Sequence, residues 1–496
     1  MIETEVHFTV GEGVQTRPGT EATHEPGFFG SRSDRRWLAG IVAAYVVLCS
    51  FYSTFTPIGE GPDELDHIRY VEHLVRFGSF PPIGSADSGR PYTLEAKQPP
   101  IYYGLNAGLM FLLGRGGTSL APALEQDPNF GDDPSKVSWY LHPPVPGDLL
   151  PWTYIMRAVG VLLGVGTIVL TFATLREVFP SPDHVPLALC AAAFVGLLPQ
   201  FTFISSVVNN DNSATLAGAA LSYWLARVLA RGARPVDAAV LGALLGLALL
   251  TKMNNLIYLP VGLLALIVSR VRIGTRAATQ LQGRALSLAR PLGARLAMVL
   301  LAVAACALVC GWWYLRNAVL YGDMLAVGAV NEMAESTVPT QASTFDPFAP
   351  GAWAVQLFTV AATHFGAFGW VVIKPPVTFA LVYITLLVMS AAGLVAELVR
   401  RKLSMIQMAQ IALAVVTIGL FYASMIFNGV GQGRLLYPVL TFTSLLVAVG
   451  TYGCFRLLVR NGTARTGAVA SAALWTVFLG LSNIYCLFGL VWPAYS

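Results

Sequence analysis

Charge is what this sequence has least of. Only 12% of its 496 residues are Asp, Glu, Lys or Arg, against roughly 25% in soluble proteins, while 55% are hydrophobic. This shortage excludes a string of soluble domains and points to a chain that sits mostly in lipid, where each charge is costly. Cysteine is scarce and poorly placed for chemistry. Cys49, Cys190, Cys306, Cys310, Cys454 and Cys486 all fall in apolar runs, and no two form Cys-x-x-Cys, so they read as small core hydrophobes rather than disulfides or metal ligands. The start lacks the short apolar core of a signal peptide, and residues 1–31 read as a disordered cytoplasmic tail. Nothing resembles a Gly-rich phosphate loop, which argues against nucleotide chemistry. No internal repeat is evident, which weakens a transporter built from duplicated halves. The net charge of +4 says little about partners, and no nucleic-acid partner is expected.

What is present is a series of apolar runs long enough to cross a bilayer, about 17 to 25 residues. They lie near 37–56, 153–176, 186–208, 212–230, 237–253, 255–270, 295–316, 377–398, 405–427, 435–457 and 466–490. Two further stretches are weaker: 99–114 is short and opens on Pro99-Pro100, and 353–373 is broken by His364, Gly366 and Gly369. Basic residues favour the cytoplasmic side. If both weaker stretches dip in and return, eleven crossings remain, and the arginine-rich loops share the cytoplasmic face with the N-terminus. Those loops are Arg227/Arg231/Arg234, Arg270 to Arg295, Arg400-Arg401-Lys402 and Arg456/Arg460/Arg465. The expected fold class is an all-α polytopic membrane protein of about eleven to thirteen transmembrane helices. Residues 32–496 are expected to form one transmembrane domain, with its C-terminus outside.

The outer face then gathers the unusual polar sequences: the first loop (57–152), Asn209-Asn210-Asp211-Asn212, Lys252-Met253-Asn254-Asn255, the loop 317–352, and Gly431-Gln432-Gly433-Arg434. Within the first loop, Gly61 to Tyr70 packs Asp63, Glu64, Asp66, His67 and Arg69 into seven residues. Pro62 suits a first helical position, and acids suit a first turn. Leu65, Ile68, Val71, Leu74 and Val75 make a stripe at helical spacing that ends near Gly78. The pattern predicts an amphipathic helix lying in the membrane interface. Asp63 and Glu64 fit a capping role on their own, but a second polar cluster, Glu95-Ala96-Lys97-Gln98-Pro99-Pro100-Ile101-Tyr102-Tyr103, follows at the same depth.

Pro62-Asp63-Glu64-x-x-His67, followed by Lys97-Gln98-Pro99-Pro100-Ile101-Tyr102-Tyr103, resembles the first-loop signature of the GT-C superfamily of integral-membrane glycosyltransferases. That superfamily includes protein O-mannosyltransferases and the aminoarabinose transferase of lipid A. The resemblance runs in particular to a bacterial branch with a Pro-Asp-Glu-x-x-His loop. Trp312-Trp313-Tyr314-Leu315-Arg316-Asn317 with Tyr321-Gly322-Asp323, and Gln432-Gly433-Arg434-Leu435-Leu436-Tyr437-Pro438, are similar to two later blocks. The branch resemblance also implies a plasma-membrane location, and the chain is expected to lack the soluble extracytoplasmic domain that relatives often carry after the membrane region.

The resemblance implies a sugar donor linked to polyprenyl phosphate and transfer on the extracytoplasmic face. It implies a first-loop carboxylate as general base, Asp63 with Glu64 as rival, and His67 as partner or orienter. Negative charge develops on the leaving phosphate, so basic groups must face it. Lys97, Arg316 and Arg434 are the candidates, with Arg69 in reserve. Gln98, Tyr102, Asn317 and Gln432 are the expected cavity residues. A single displacement would invert the anomeric centre. The expected partners are the lipid-linked donor, a glycan, lipid or protein acceptor, and the bilayer. Acceptor recognition is expected to fall to 116–152 and 317–352, where Trp139, Tyr140 and Phe345 supply aromatic surface.

Plainer roles fit several of these residues. Arg316 suits the snorkelling end of a helix, and Arg434 a membrane anchor. Lys97 suits a loop charge, Lys252 interfacial polarity, and Asp211 a helix cap. The expected cofactor is none; the alternative is a divalent cation held by Asp63, Glu64, Asp66 and His67. Two other functional classes also fit a polar cavity: a transporter or flippase of lipid-linked precursors, and a non-catalytic scaffold. Transporters carry charge at mid-crossing and in repeated halves, whereas this chain gathers it at the outer ends of its apolar runs.

Overall fold

In the computed structural model the described residues are 31–83, 93–130, 136–143, 147, 149–270, 289–331, 349–427, 431–459 and 463–496. The N-terminal tail, most of the Arg270–Arg295 segment and Phe345 lie outside them. Among the described residues the regular structure is helical apart from one two-residue antiparallel pair, β1 (Glu125–Gln126) with β2 (Tyr140–Leu141), and a single bridge between Phe368 and Ile373. The helices, in order, are α1 (Arg32–Phe55), α2 (Glu64–Phe77), α3 (Ile101–Leu112), α4 (Leu150–Val178), α5 (Val185–Gly196), α6 (Pro199–Ser205), α7 (Asp211–Arg231) and α8 (Pro235–Leu249). They continue with α9 (Tyr258–Val268), α10 (Ala289–Tyr321), α11 (Ala352–Phe365), α12 (Val377–Val399), α13 (Met405–Phe427), α14 (Leu440–Leu458) and α15 (Ala464–Cys486). Among the described residues, seven helices are long and apolar enough to cross a membrane, or eight if one bent pair is a single span. The protein is a multi-pass membrane protein.

Local chemistry explains where the helices differ from the eleven apolar runs. The run 186–208 is not one straight rod. It bends by 61° between α5 and α6, because Pro199 begins α6 and has no N–H to continue the ladder. The runs 237–253 and 255–270 become two short helices, α8 and α9, separated by a turn at Lys252 and a 3-10 segment, Met253–Ile257. At 1.5 Å per residue the eleven residues of α9 reach only about 16 Å, half a hydrocarbon core. The two weaker stretches form α3 and α11, and α11 stops at Gly366 as its composition predicts.

Close packing relies on small residues, as in many membrane bundles. A Cβ on Gly393 of α12 would lie 2.0 Å from the carbonyl oxygen of Gly450 on α14, so any side chain there would force these two helices apart.

One helix departs from expectation in its surroundings. α2 forms and ends at Gly78, which takes a left-handed conformation (φ 61°). Its polar face, however, is not exposed: Glu64, Asp66, His67, Glu72 and His73 are all buried with the apolar stripe. Glu72 accepts from Arg76, Ser119 and the Leu120 and Ala121 amides. α2 is thus enclosed on its polar face as well as along its apolar stripe.

The candidate active site

The site is built where α2 begins. Asp63 is its N-cap residue and holds a left-handed backbone (φ 61°, ψ 10°), a conformation that side chains other than glycine seldom adopt. Its carboxylate makes no capping bond and is 39% exposed. The capping role that the sequence allows is therefore not what Asp63 does. One turn on, His67 is buried, and its Nδ1 lies 2.9 Å from the Tyr103 hydroxyl.

Glu64 points the other way. It is fully buried and grips Arg157 of α4, with Nε to Oε1 at 2.7 Å and Nη2 to Oε2 at 2.7 Å. The same carboxylate accepts from the amides of Gly59 and Val208, each at 2.9 Å. Arg157 spends its remaining donors on the carbonyls of Ser53, Thr56 and Pro57. This pair ties the end of α1, the start of α2, α4 and the loop after α6 into one joint. As rival base, Glu64 is displaced: both its oxygens are occupied and it does not line the cavity. Glu60 plays a similar part, accepting from the Trp139 and Tyr140 amides and from His142 Nε2 at 2.7 Å.

The bend at Pro199 delivers Asn209, Asn210 and Asp211 beneath α2. Asn209 donates to the Pro62 carbonyl at 3.1 Å, and its own amide N–H donates to the Tyr102 hydroxyl at 3.0 Å. The turn carrying Glu95 and Lys97 is fixed by Thr93, which donates to the Asp66 carbonyl at 2.7 Å and accepts from the Glu95 amide. Arg434 arrives from the far end of the sequence. The preceding Gly433 fits only without a side chain, since a Cβ would lie 2.3 Å from the His364 nitrogen and from the Val360 oxygen. Its amide donates to Thr363 Oγ1 at 2.8 Å.

These elements close around a cavity of about 370 Å³. Asp63, His67, Glu95, Lys97, Gln98, Asn209, Asn210, Asp211, Lys252 and Arg434 form its polar side, and Ile257, Phe421, Met425 and Leu435 give it an apolar side. Arg434 sits between two carboxylates, 3.3 Å from Asp63 and 3.6 Å from Asp211. Lys252 pairs with the other oxygen of Asp211. Burial alone would raise the Asp211 carboxyl, but Lys252 and then Arg434 overcome it and hold Asp211 below the usual carboxylate range.

Of the expected site residues, Asp63, His67, Lys97, Gln98 and Arg434 line this cavity. Tyr102 stands just behind it and supports Asn209. Gln432 accepts from Arg434 Nε at 2.9 Å and so braces the guanidinium. Arg316 and Asn317 do not line the cavity. Arg316 stacks over Trp313 and Phe80, at 4.8 and 5.6 Å from their ring centroids, and Asn317 binds the Met324 carbonyl and Arg316. Arg316 thus lies outside the cavity, whereas Lys252, expected to supply only interfacial polarity, lines it. The cation set Asp63, Glu64, Asp66 and His67 does not converge. Glu64 is committed to Arg157, Asp66 lies 3.4 Å from Arg69, and no cluster of three or more candidate metal ligands occurs among the described residues. Arg157 was legible only as one charge inside an apolar run, a signal that ordinarily marks a buried partner.

Residues 153–294, from α4 into the start of α10, match the dolichyl-phosphate-mannose-protein mannosyltransferase family. That segment carries Asp211 and Lys252 but neither Asp63 nor Arg434. No curated protein matches the chain. Among solved structures it is similar to the Archaeoglobus fulgidus oligosaccharyltransferase tethered with an acceptor peptide, at 14% identity and a TM-score of 0.47, covering 92% of this chain and 55% of that one. It is similar to the same archaeon's AglB in complex with an inhibitory peptide and a dolichol-phosphate, at 13% identity, 92% and 56% coverage, and a TM-score of 0.45. It is also similar to ArnT from Cupriavidus metallidurans bound to undecaprenyl phosphate, at 13% identity, 93% and 74% coverage, and a TM-score of 0.48. The chain thus spans about half the length of the oligosaccharyltransferase. The family match, which covers residues 153–294 alone, agrees with the GT-C resemblance drawn from the motifs.

Proposed function

We propose that this protein moves a sugar from a polyprenyl-phosphate donor to an acceptor hydroxyl. The observation that carries the reading is the two-sided cavity. Three carboxylates, Asp63, Glu95 and Asp211, and three cations, Lys97, Lys252 and Arg434, face an apolar wall of Ile257, Phe421, Met425 and Leu435. Such a lining suits a substrate with an anionic head and a hydrocarbon tail.

In this reading Asp63 is the general base. It takes the acceptor's hydroxyl proton as that oxygen attacks the anomeric carbon. The bond from that carbon to the phosphate oxygen breaks, and polyprenyl phosphate leaves with the electron pair. Arg434, Lys252 and Lys97 face the charge that builds there, and fixed charges in a cavity shielded from water do this well. One displacement inverts the anomeric centre. No metal or other cofactor is assigned to the reaction. The acceptor is a hydroxyl of a glycan, a lipid or a protein side chain.

The extracytoplasmic assignment rests on α7. Its 21 residues run from Asp211 in the cavity to Arg231, about 30 Å away at 1.5 Å per residue, roughly one hydrocarbon thickness. Arg227, Arg231 and Arg234 gather at that opposite end around Glu177 and Asp237. Basic ends favour the cytoplasm, which supports a cavity on the outer side of the plasma membrane.

The test is release of polyprenyl phosphate from a panel of lipid-linked sugars by purified protein, with and without a membrane acceptor fraction. Release that depends on Asp63 supports the reading and identifies the sugar. Tight donor binding with no turnover of any donor would overturn it in favour of a transporter of lipid-linked precursors.

A further inference from the structure

The run Asn209-Asn210-Asp211-Asn212 offers four polar side chains within one turn, and the structure assigns each a different task. Asn209 is fully used in fastening the loop: it donates to the Pro62 carbonyl, and its Oδ1 accepts from the Asp211 amide at 2.8 Å. Asp211 pairs with Lys252 and Arg434. Asn212 faces away from the cavity and donates to the Ile204 carbonyl at 3.1 Å. Asn210 remains. It is 1% exposed, lines the cavity, and its Nδ2 has no hydrogen-bond partner.

That orphaned donor needs a reason, since a buried polar group without a partner costs about 1–3 kcal/mol. Its position makes the omission more pointed. Asn210 is the N-cap residue of α7, where an asparagine side chain ordinarily accepts from the helix, yet it makes no capping bond. The nearby Ser213 hydroxyl donates to the Asn210 backbone carbonyl, not to its side chain. Nδ2 is therefore left without a partner in a residue that lines the cavity.

The chemistry of the wall narrows what would meet it. Lys97, Lys252 and Arg434 already supply positive charge for an anionic group. A neutral amide donor suits a neutral oxygen acceptor, such as a hydroxyl or ring oxygen. A site built to hydrogen-bond a substrate hydroxyl also rejects analogues that lack it, because its own polar group is then left unpaired. We infer that Asn210 is a sugar-recognising residue, whose side-chain amide donates to an oxygen of the donor's sugar ring. This rests on the donor reading above and names the part of the donor that Asn210 touches.

The test compares bare undecaprenyl phosphate with undecaprenyl phosphates carrying glucose, mannose or arabinose. Binding is measured to full-length protein and to Asn210→Ala. The readout is the ratio of sugar-bearing to bare affinity, which does not depend on how much of the variant is folded. Loss of one buried hydrogen bond should lower that ratio about threefold to tenfold for the cognate sugar, with bare-carrier affinity unchanged. Asn210→Ser, which keeps a shorter donor, should recover part of the ratio and serves in its place if the alanine variant does not fold. An unchanged ratio in either variant overturns the assignment, because an amide satisfied by water would give that result. Equal weakening of bare and sugar-bearing carriers also overturns it, since the residue would then act on the phosphate. Failure of the unaltered protein to bind bare undecaprenyl phosphate would instead sink the donor reading itself.

Discussion

Arg434 Nη2 lies 3.3 Å from Oδ2 of Asp63, joining residues 371 positions apart in the sequence. Its Nη1 reaches Asp211 at 3.6 Å, and Lys252 completes the row. The candidate base thus stands beside a cation that a departing phosphate would also meet, and this geometry sets the order of tests.

Replacing Asp63 should separate chemistry from binding. Asp63→Asn is expected to lower release of polyprenyl phosphate by about 10²- to 10⁴-fold, the usual contribution of a general base. Bare-carrier affinity should change little. Wild-type turnover in this variant would remove Asp63 from the role of base.

Glu64 should behave as a structural residue. Glu64→Gln or Arg157→Met leaves one member of a fully buried pair unmatched, which typically costs about 3–5 kcal/mol. A marked drop in the thermal midpoint in detergent is expected from either change. The double variant Glu64→Leu with Arg157→Leu should regain part of it. A Glu64→Gln protein of full stability that has lost turnover would return the base assignment to Glu64.

The three arginine and lysine candidates should divide by position. Arg434→Gln and Lys252→Met are expected to weaken bare undecaprenyl phosphate about tenfold each, in line with a lost charged hydrogen bond. Arg316→Gln should leave that affinity intact, because its guanidinium is stacked on Trp313 and Phe80 outside the cavity. Titration of the carrier against each variant checks this, and a loss with Arg316→Gln as large as with Arg434→Gln would contradict the cavity boundaries.

Asp211 should make the protein sensitive to acid. Its carboxyl is held below the usual range, so its ion pairs add stability above the unfolded value, near pH 4. That contribution is lost as pH falls through the lower folded value. Thermal midpoints followed from about pH 7 to about pH 3 should fall more steeply for the unaltered protein than for Asp211→Asn. Parallel curves would mean that Asp211 is not the group being titrated.

Gly433→Ala tests how Arg434 is carried to the site. The added Cβ meets the backbone at Val360 and His364, not a flexible side chain, so the segment must shift. Activity should fall well beyond what the loss of stability explains, and an active variant with an intact midpoint would show that the close approach does not govern Arg434.

Much of the site was legible as separate fragments. The Pro62-Asp63-Glu64 turn, the helix ending at Gly78 and the second cluster at Lys97 follow from caps, periodicity and proline. The difference between Asp63 and Glu64 was not legible. Adjacent residues at a helix start point in different directions, and only the approach of Arg157 from α4 shows which one is consumed by packing. Lys252 and Arg316 exchanged places for the same reason: both sit near helix ends, and sequence carries no record of which end faces the cavity.

The sequence by itself determined a membrane protein made of helices, because its scarcity of charge and its long apolar runs leave few other ways to satisfy a backbone in lipid. It also determined which short stretches carry polar chemistry, since each such residue stands out against an apolar background. Tertiary structure alone decided which of these stretches meet. The bend at Pro199, the turn at Lys252 and the tight seat of Gly433 bring Asn210, Asp211, Lys252 and Arg434 to Asp63. Those meetings depend on long-range packing, and a local pattern of residues does not encode the distance between segments hundreds of positions apart.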